Sequence, residues 1–153
     1  MTRLLSRILL VEDDPDIRMV AGVALEAIGG FVIRTCASGP EALETASGFA
    51  PDLFLLDVMM PEMDGPTTLQ RLREIPALAG VPAVFMTAKV QPREVAQYRQ
   101  AGATDVIAKP FDPMTLAETI RSIWDRHEST MARVSTSKGP VTEGAGAGTG
   151  AGV

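Results

Sequence analysis

A chain of 153 residues is long enough for one domain with a substantial core and too short for two ordinary ones. Its hydrophobic content of 46% suits a soluble globular protein, while 19 acidic against 14 basic residues leave a net charge of −5, which argues against direct nucleic-acid binding. A single cysteine, Cys36, excludes an intrachain disulfide and reads as core filling; the stretch Ala77 to Met86 is broken by Gly80 and Pro82 and cannot cross a bilayer, and the apolar run from Ile8 to Val11 meets Glu12 too early for a signal peptide.

Arg7-Ile8-Leu9-Leu10-Val11 is a short aliphatic strand ending in three acids, Glu12, Asp13 and Asp14. Asp14 suits an N-cap and Pro15 the first turn of a helix. Along that helix Ile17, Val20, Ala21, Ala24, Leu25 and Ile28 recur at spacings of three and four, which predicts one buried face, and Gly29-Gly30 supplies the stop. Phe31 to Cys36 is a second strand, and Ser38-Gly39-Pro40-Glu41 opens a second helix with a capping box, ending near Gly48.

Leu53-Phe54-Leu55-Leu56-Asp57-Val58-Met59-Met60 is a continuous apolar run between Pro51-Asp52 and Pro61, expected of a strand covered on both faces, with a carboxylate toward its end. Asp64-Gly65-Pro66 begins a short helix whose Leu69 and Leu72 face inward. Val81 to Met86 is the fourth strand, followed by Thr87-Ala88-Lys89 and a helix from Pro92 to Ala101. Thr104 to Ala108 is a fifth strand, Lys109-Pro110-Phe111 a turn, and Asp112-Pro113 the start of a last helix bearing Leu116, Ile120, Ile123 and Trp124.

Five strands alternating with five helices predict an α/β domain with a doubly wound parallel sheet, because each crossover is helical and right-handed. The domain is expected over residues 1–127. Residues 128–153 turn to Ser, Thr, Gly and Ala, with too few apolar groups to offset the entropy of ordering them, and are expected to be a flexible tail. Within it, Gly146-x-Gly148-x-x-Ala151 formally matches a dinucleotide fingerprint but lacks the strand and helix that give that motif its chemistry.

In a doubly wound sheet, ligands sit beyond the carboxyl ends of the strands. Glu12 and Asp13 follow the first strand, Asp57 the third, Thr87 the fourth and Lys109 the fifth. Singly, each has a plain explanation: a charge cluster at a helix start, a capping acid, a strand-end threonine, a solvated lysine. Five such residues in strand order argue for a site. Crowded carboxylates invite a hard divalent cation such as Mg²⁺, with Asp13 and Asp57 as direct ligands, Glu12 holding a coordinated water and the Met59 backbone carbonyl completing the protein's share. A metal beside Asp57 neutralises a phosphoryl group approaching that nucleophile, while Lys109 and Thr87 offer a cation and a hydroxyl to its oxygens.

Val11-Glu12-Asp13-Asp14-Pro15, the run from Leu56 to Gly65, Met86-Thr87-Ala88 and the run from Gly102 to Phe111 resemble the receiver domain of two-component response regulators over roughly residues 7–127. The resemblance implies a flavodoxin-like sheet in the order 2-1-3-4-5 and a cis Lys109-Pro110 bond. It further implies phosphoryl transfer onto Asp57 from a sensor histidine kinase or a histidine phosphotransfer protein. The chain would then be a stand-alone cytoplasmic switch or phosphorelay carrier with a downstream protein target. It would not be a conventional enzyme, although it would catalyse its own phosphorylation and dephosphorylation.

One position departs from the family's habit of Tyr or Phe three residues before the lysine: here it is Val106. That departure sustains an alternative, a receiver-like docking module that works without phosphorylation. A phosphatase of the haloacid dehalogenase type would want a second acid two residues after Asp57, where Met59 stands. His127, the sole histidine, is expected at the surface and not as the phosphodonor.

Overall fold

The computed structural model of the chain describes residues 3–144, and side chains as far as residue 133. Five parallel strands, β1 (Arg7–Val11), β2 (Val32–Cys36), β3 (Leu53–Asp57), β4 (Ala83–Thr87) and β5 (Asp105–Ala108), form one sheet in the order β2-β1-β3-β4-β5. Between them run α1 (Pro15–Val23), α2 (Gly39–Phe49), α3 (Gly65–Arg73) and α4 (Pro92–Gln100), and α5 (Leu116–Gly144) follows β5. This is the flavodoxin-like order, and it puts β1 and β3 at the centre, where neighbours on both sides bury them.

Strand alternation divides the core in two. Ile8, Leu10, Leu53, Leu55, Val84 and Met86 point to one face and pack with Leu25 and with Leu116, Ile120 and Trp124 of α5. Leu9, Val11, Phe54, Leu56 and Phe85 point to the other and pack with Ala42 and Ala46 of α2 and Leu69 and Leu72 of α3. Burial on both faces is why β1 and β3 read as unbroken apolar runs. Trp124 is almost fully enclosed, and its indole N–H donates to the Arg3 carbonyl at 2.8 Å, so the ring is buried without an unpaired donor.

The helix starts follow their capping chemistry. Asp14 accepts from the amides of Asp16 and Ile17, Ser38 from that of Glu41, and Asp64 from that of Thr67. In each helix a proline in the first turn supplies a fitting φ where no donor is needed.

Two sequence expectations are corrected, for the first helix and the last. The first helix passes into a π-helical turn, Ala24–Ile28, with the Gly29 amide donating to the Ala24 carbonyl at 3.3 Å. The extra residue in that turn rotates Ile28 off the buried face, and Ile28 and Val20 are exposed where burial was expected. The second helix ends at Phe49, near Gly48 as expected, and is closed by Ala50 in the left-handed conformation (φ 55°). The last helix begins after a turn in which the Thr115 amide donates to the Asp112 carbonyl, and it continues to Gly144 instead of ending near 127. Residues 128–138 contain neither glycine nor proline, and Glu128, Met131, Ala132 and Arg133 are good helix formers, so nothing stops it there. Residues 145–153 of the expected tail, with the glycine motif, lie outside the described residues.

Candidate functional site

The carboxyl ends of the strands form one polar rim. Among the buried residues of the described chain, four are polar or charged: Glu12, Asp57, Thr68 and Thr87. Glu12 and Asp57 are 0% and 2% exposed, and Thr87 is 1% exposed; all three belong to the rim. Chain pairing brings them together: β1 and β3 are adjacent, and the β3 to β4 register sets Asp57 beside Met86, one residue before Thr87.

Lys109 enters from the end of β5. Its Nζ donates to Glu12 Oε1 and to Asp57 Oδ1, each at 3.1 Å, and its own amide donates to the Thr87 carbonyl at 2.9 Å. The peptide bond that follows, Lys109-Pro110, is cis. Glu12 also accepts from the Asp14 amide at 3.1 Å, and one guanidinium nitrogen of Arg18 donates to the Glu12 carbonyl at 2.8 Å, fixing the turn that carries the acids. The Thr87 hydroxyl is turned to the following loop, where it accepts from the Lys89 amide at 3.0 Å.

Carboxylate oxygens of Glu12, Asp13 and Asp57 all lie within 4.8 Å of one another. Met59 lies two residues beyond Asp57 in the following loop, with its side chain 64% exposed. Four of the six residues expected at the site, Glu12, Asp13, Asp57 and Lys109, thus meet through their side chains, while Thr87 joins them through its backbone carbonyl and Met59 is expected to act through its own.

Burial pushes the Glu12 carboxyl from its ordinary 4.5 up to about 7, against the hydrogen bonds from the Asp14 amide and Lys109. Burial likewise raises Asp57, with the contact to Lys109 working the other way. For Lys109 burial works against the ammonium, yet its bonds to Glu12 and Asp57 outweigh that and hold its pKa above the usual value. Three acids facing one lysine are short of positive charge. An all-oxygen donor set with that deficit fits a hard divalent cation of the Mg²⁺ kind.

Sequence reasoning missed Arg18 and Gly65. Arg18 gives no motif signal beyond its place in the first turns of a helix. Gly65, read only as part of a helix start, packs directly against the Asp57 backbone. His127, expected at the surface, is half-buried, its ring centroid 6.4 Å from that of Trp124. Cys36 is buried, as its reading required, and burial pushes its thiol up.

The family model described as the response regulator receiver domain matches residues 8–121, and the chain belongs to that family. Its relatives include the DNA-binding response regulator MtrA of Mycolicibacterium smegmatis, 36% identical over 128 residues, covering 84% of this chain and 54% of that protein. The transcriptional regulatory protein CseB of Streptomyces coelicolor is 35% identical over 142 residues, covering 93% of this chain and 56% of its own. The chain therefore spans about half the length of these curated relatives. Among solved structures, the chemotaxis response regulator CheY4 of Vibrio cholerae aligns with a TM-score of 0.72 at 29% identity, covering 78% of this chain and 98% of that one.

Proteins of this family take part in two-component signalling, in which receiver domains accept phosphoryl groups from histidine kinases. No helix among the described residues is long and apolar enough to cross a membrane.

Proposed function

We propose that this chain is a phosphorylation switch whose phosphoacceptor is Asp57. The observation that carries the reading is the Lys109 ammonium held between Glu12 and Asp57 at 3.1 Å from each, beside a cluster of carboxylate oxygens. A carboxylate oxygen of Asp57 attacks the phosphorus of a phosphohistidine on a partner kinase or phosphotransfer protein. An O–P bond forms and the N–P bond breaks; the imidazole nitrogen keeps the electron pair and takes up a proton.

Glu12, Asp13, Asp57 and the Met59 carbonyl would hold Mg²⁺. When bound, the cation offsets the negative charge of the phosphoryl group and the carboxylate that meets it. Lys109 is placed to turn from Asp57 to a phosphoryl oxygen as charge moves there, and Thr87 to give its hydroxyl to another. Attack of water on the phosphorus then returns the free carboxylate and inorganic phosphate, so the same residues set the lifetime of the signal.

The partner's entry is supported by an apolar groove of about 410 Å³ beside Lys109, lined by Ile17, Val20, Phe111 and Pro113 among others. Met19 and Met114, 63% and 70% exposed, add unbranched adaptable side chains to the apolar surface of the same elements. We read this surface as the seat for a histidine-bearing helix that presents its apolar side. A boundary within α5 is supported by the family match ending at residue 121, and action in the cytoplasm is part of the same reading.

Incubation with acetyl phosphate and Mg²⁺, followed by intact mass, tests the proposal. The wild-type protein is expected to gain one phosphoryl group and Asp57→Ala none. A mass gain that persists in Asp57→Ala removes the assignment, and no gain in the wild type favours the docking module that works without phosphorylation.

A further inference from the structure

Arg18 lies half-buried against the turn that carries Glu12 and Asp13, yet it pairs with no carboxylate among the described residues. Its guanidinium is directed to main chain instead. One nitrogen, Nη1, donates to the Glu12 carbonyl at 2.8 Å and to the Asp13 carbonyl at 3.4 Å. These carbonyls belong to the two peptide units that flank the Asp13 Cα. Each unit is planar, so holding both carbonyls sets the two backbone dihedrals of Asp13 and the direction in which its side chain leaves the chain.

The neighbours of Asp13 are held by other groups. The Glu12 amide donates to the Cys36 carbonyl at 3.0 Å, and the Glu12 carboxylate accepts from Lys109 and from the Asp14 amide, each at 3.1 Å. The Asp14 carboxylate accepts from the amides of Asp16 and Ile17. Among the described residues, the Asp13 main chain has a single such tie, the one from Arg18.

A guanidinium beside a cation site acts in two opposite ways. As a charge it repels a divalent cation, so its removal tightens binding. As a clamp on the turn it holds a ligand in place for Mg²⁺, which demands a near-ideal octahedron, so its removal weakens binding. The Arg18 charge is half-exposed, where water and salt screen it, whereas groups that orient metal ligands are worth about 10–100-fold in affinity. The clamp outweighs the charge.

We propose that Arg18 is a positioning residue for Mg²⁺: by holding the Glu12 and Asp13 carbonyls it aims the Asp13 carboxylate at the cation site. The inference rests on the reading of Glu12, Asp13 and Asp57 as that site, and it stands apart from the identity of the phosphoacceptor.

Calorimetric titration of the full chain with MgCl₂ tests it in two variants. Arg18→Met keeps an unbranched stem and removes both donor and charge; Arg18→Lys keeps the charge and one donor nitrogen. The dissociation constant is expected to rise about tenfold in Arg18→Met, with Arg18→Lys binding more tightly than Arg18→Met. Repulsion alone predicts the reverse order, with Arg18→Met the tightest of the three. An Arg18→Met protein that binds as tightly as wild type, or an Arg18→Lys protein that binds no better than Arg18→Met, overturns the inference. An Arg18→Met protein that is unfolded in chelator makes Arg18 a residue of the fold and overturns it as well.

Phosphorylation from acetyl phosphate, followed by intact mass across a range of Mg²⁺ concentrations, supplies a second readout. In Arg18→Met the Mg²⁺ concentration for half-maximal rate is expected to rise about tenfold, with the rate at saturating Mg²⁺ kept. A lower saturated rate at an unchanged Mg²⁺ requirement overturns the inference. A wild-type protein that binds no Mg²⁺ overturns it together with the metal site. Wild-type protein that binds Mg²⁺ and takes no phosphoryl group overturns the phosphoacceptor reading and leaves the role of Arg18 to the calorimetry.

Discussion

Gly65 lies so close to Asp57 that a Cβ placed on it would stand 2.5 Å from the Asp57 carbonyl oxygen. The opposing atom is backbone and cannot swing aside as the end of a side chain can. Gly65 also begins α3, with its amide donating to the Val58 carbonyl at 2.9 Å, so the helix start and the strand end are tied together.

Gly65→Ala is therefore expected to destabilise the fold by about 1–3 kcal/mol, as overpacking does, and to slow phosphorylation by displacing Asp57. Thermal unfolding and the rate of mass gain from acetyl phosphate check it. Wild-type values for both would show that the strand end yields without cost.

The raised Glu12 carboxyl makes metal-free stability depend on pH. Its folded pKa, about 7, lies above the unfolded 4.5, so between these values the folded state holds more protons and stability falls as pH rises. The full loss, reached above about pH 7, is at most about 3 kcal/mol. Asp57 is raised as well and acts in the same direction. In chelator, the melting temperature is expected to fall between about pH 5 and about pH 8, and Glu12→Gln to flatten that slope. A melting temperature that rises through this window in chelator would contradict the account.

Removal of Asp13 tests the metal reading separately from the phosphoacceptor. Asp13 contributes one of the three clustered carboxylate oxygens and is less buried than Glu12 and Asp57. Asp13→Ala is expected to weaken Mg²⁺ binding by about tenfold or more while the fold is kept, because few protein ligands remain for a cation that holds much of its own water. Calorimetric or fluorescence titration with Mg²⁺ measures this, and an unchanged titration would move the metal elsewhere.

Val106 is half-buried on β5 beside Phe85. Val106→Ala is expected to cost about 1 kcal/mol or less in packing and to leave phosphorylation intact, with a modest change in partner affinity. Complete loss of phosphorylation-dependent partner binding in a folded Val106→Ala protein would place the output at this position after all.

The sheet was legible because β1 and β3 are apolar along nearly their whole length and each ends at the rim in acids. The site was legible because strand ends converge once the order is right, which brings Glu12, Asp13, Asp57, Thr87 and Lys109 together from four separate stretches. What local reading missed depends on packing at a distance. Ile28 keeps a helical spacing from Ala21 and Ala24, yet one π-helical turn carries it into solvent, and spacing alone does not reveal such a turn. Gly65 looked like a helix opener because its second role, proximity to Asp57, exists only once the chain has folded. Composition suggested an end for the last helix near residue 127, but composition says little about where a helix without a breaker stops.

All five residues of β3 are buried, and hydrogen-bonded strands lie on both sides of it. Its amides are therefore expected to exchange with solvent only when the whole molecule unfolds, whereas those of α4 exchange through small local openings. The Asp57 carboxylate is thus anchored in the slowest-exchanging part of the protein while α4 belongs to a faster one, so a partner can reshape α4 without disturbing the geometry at Asp57.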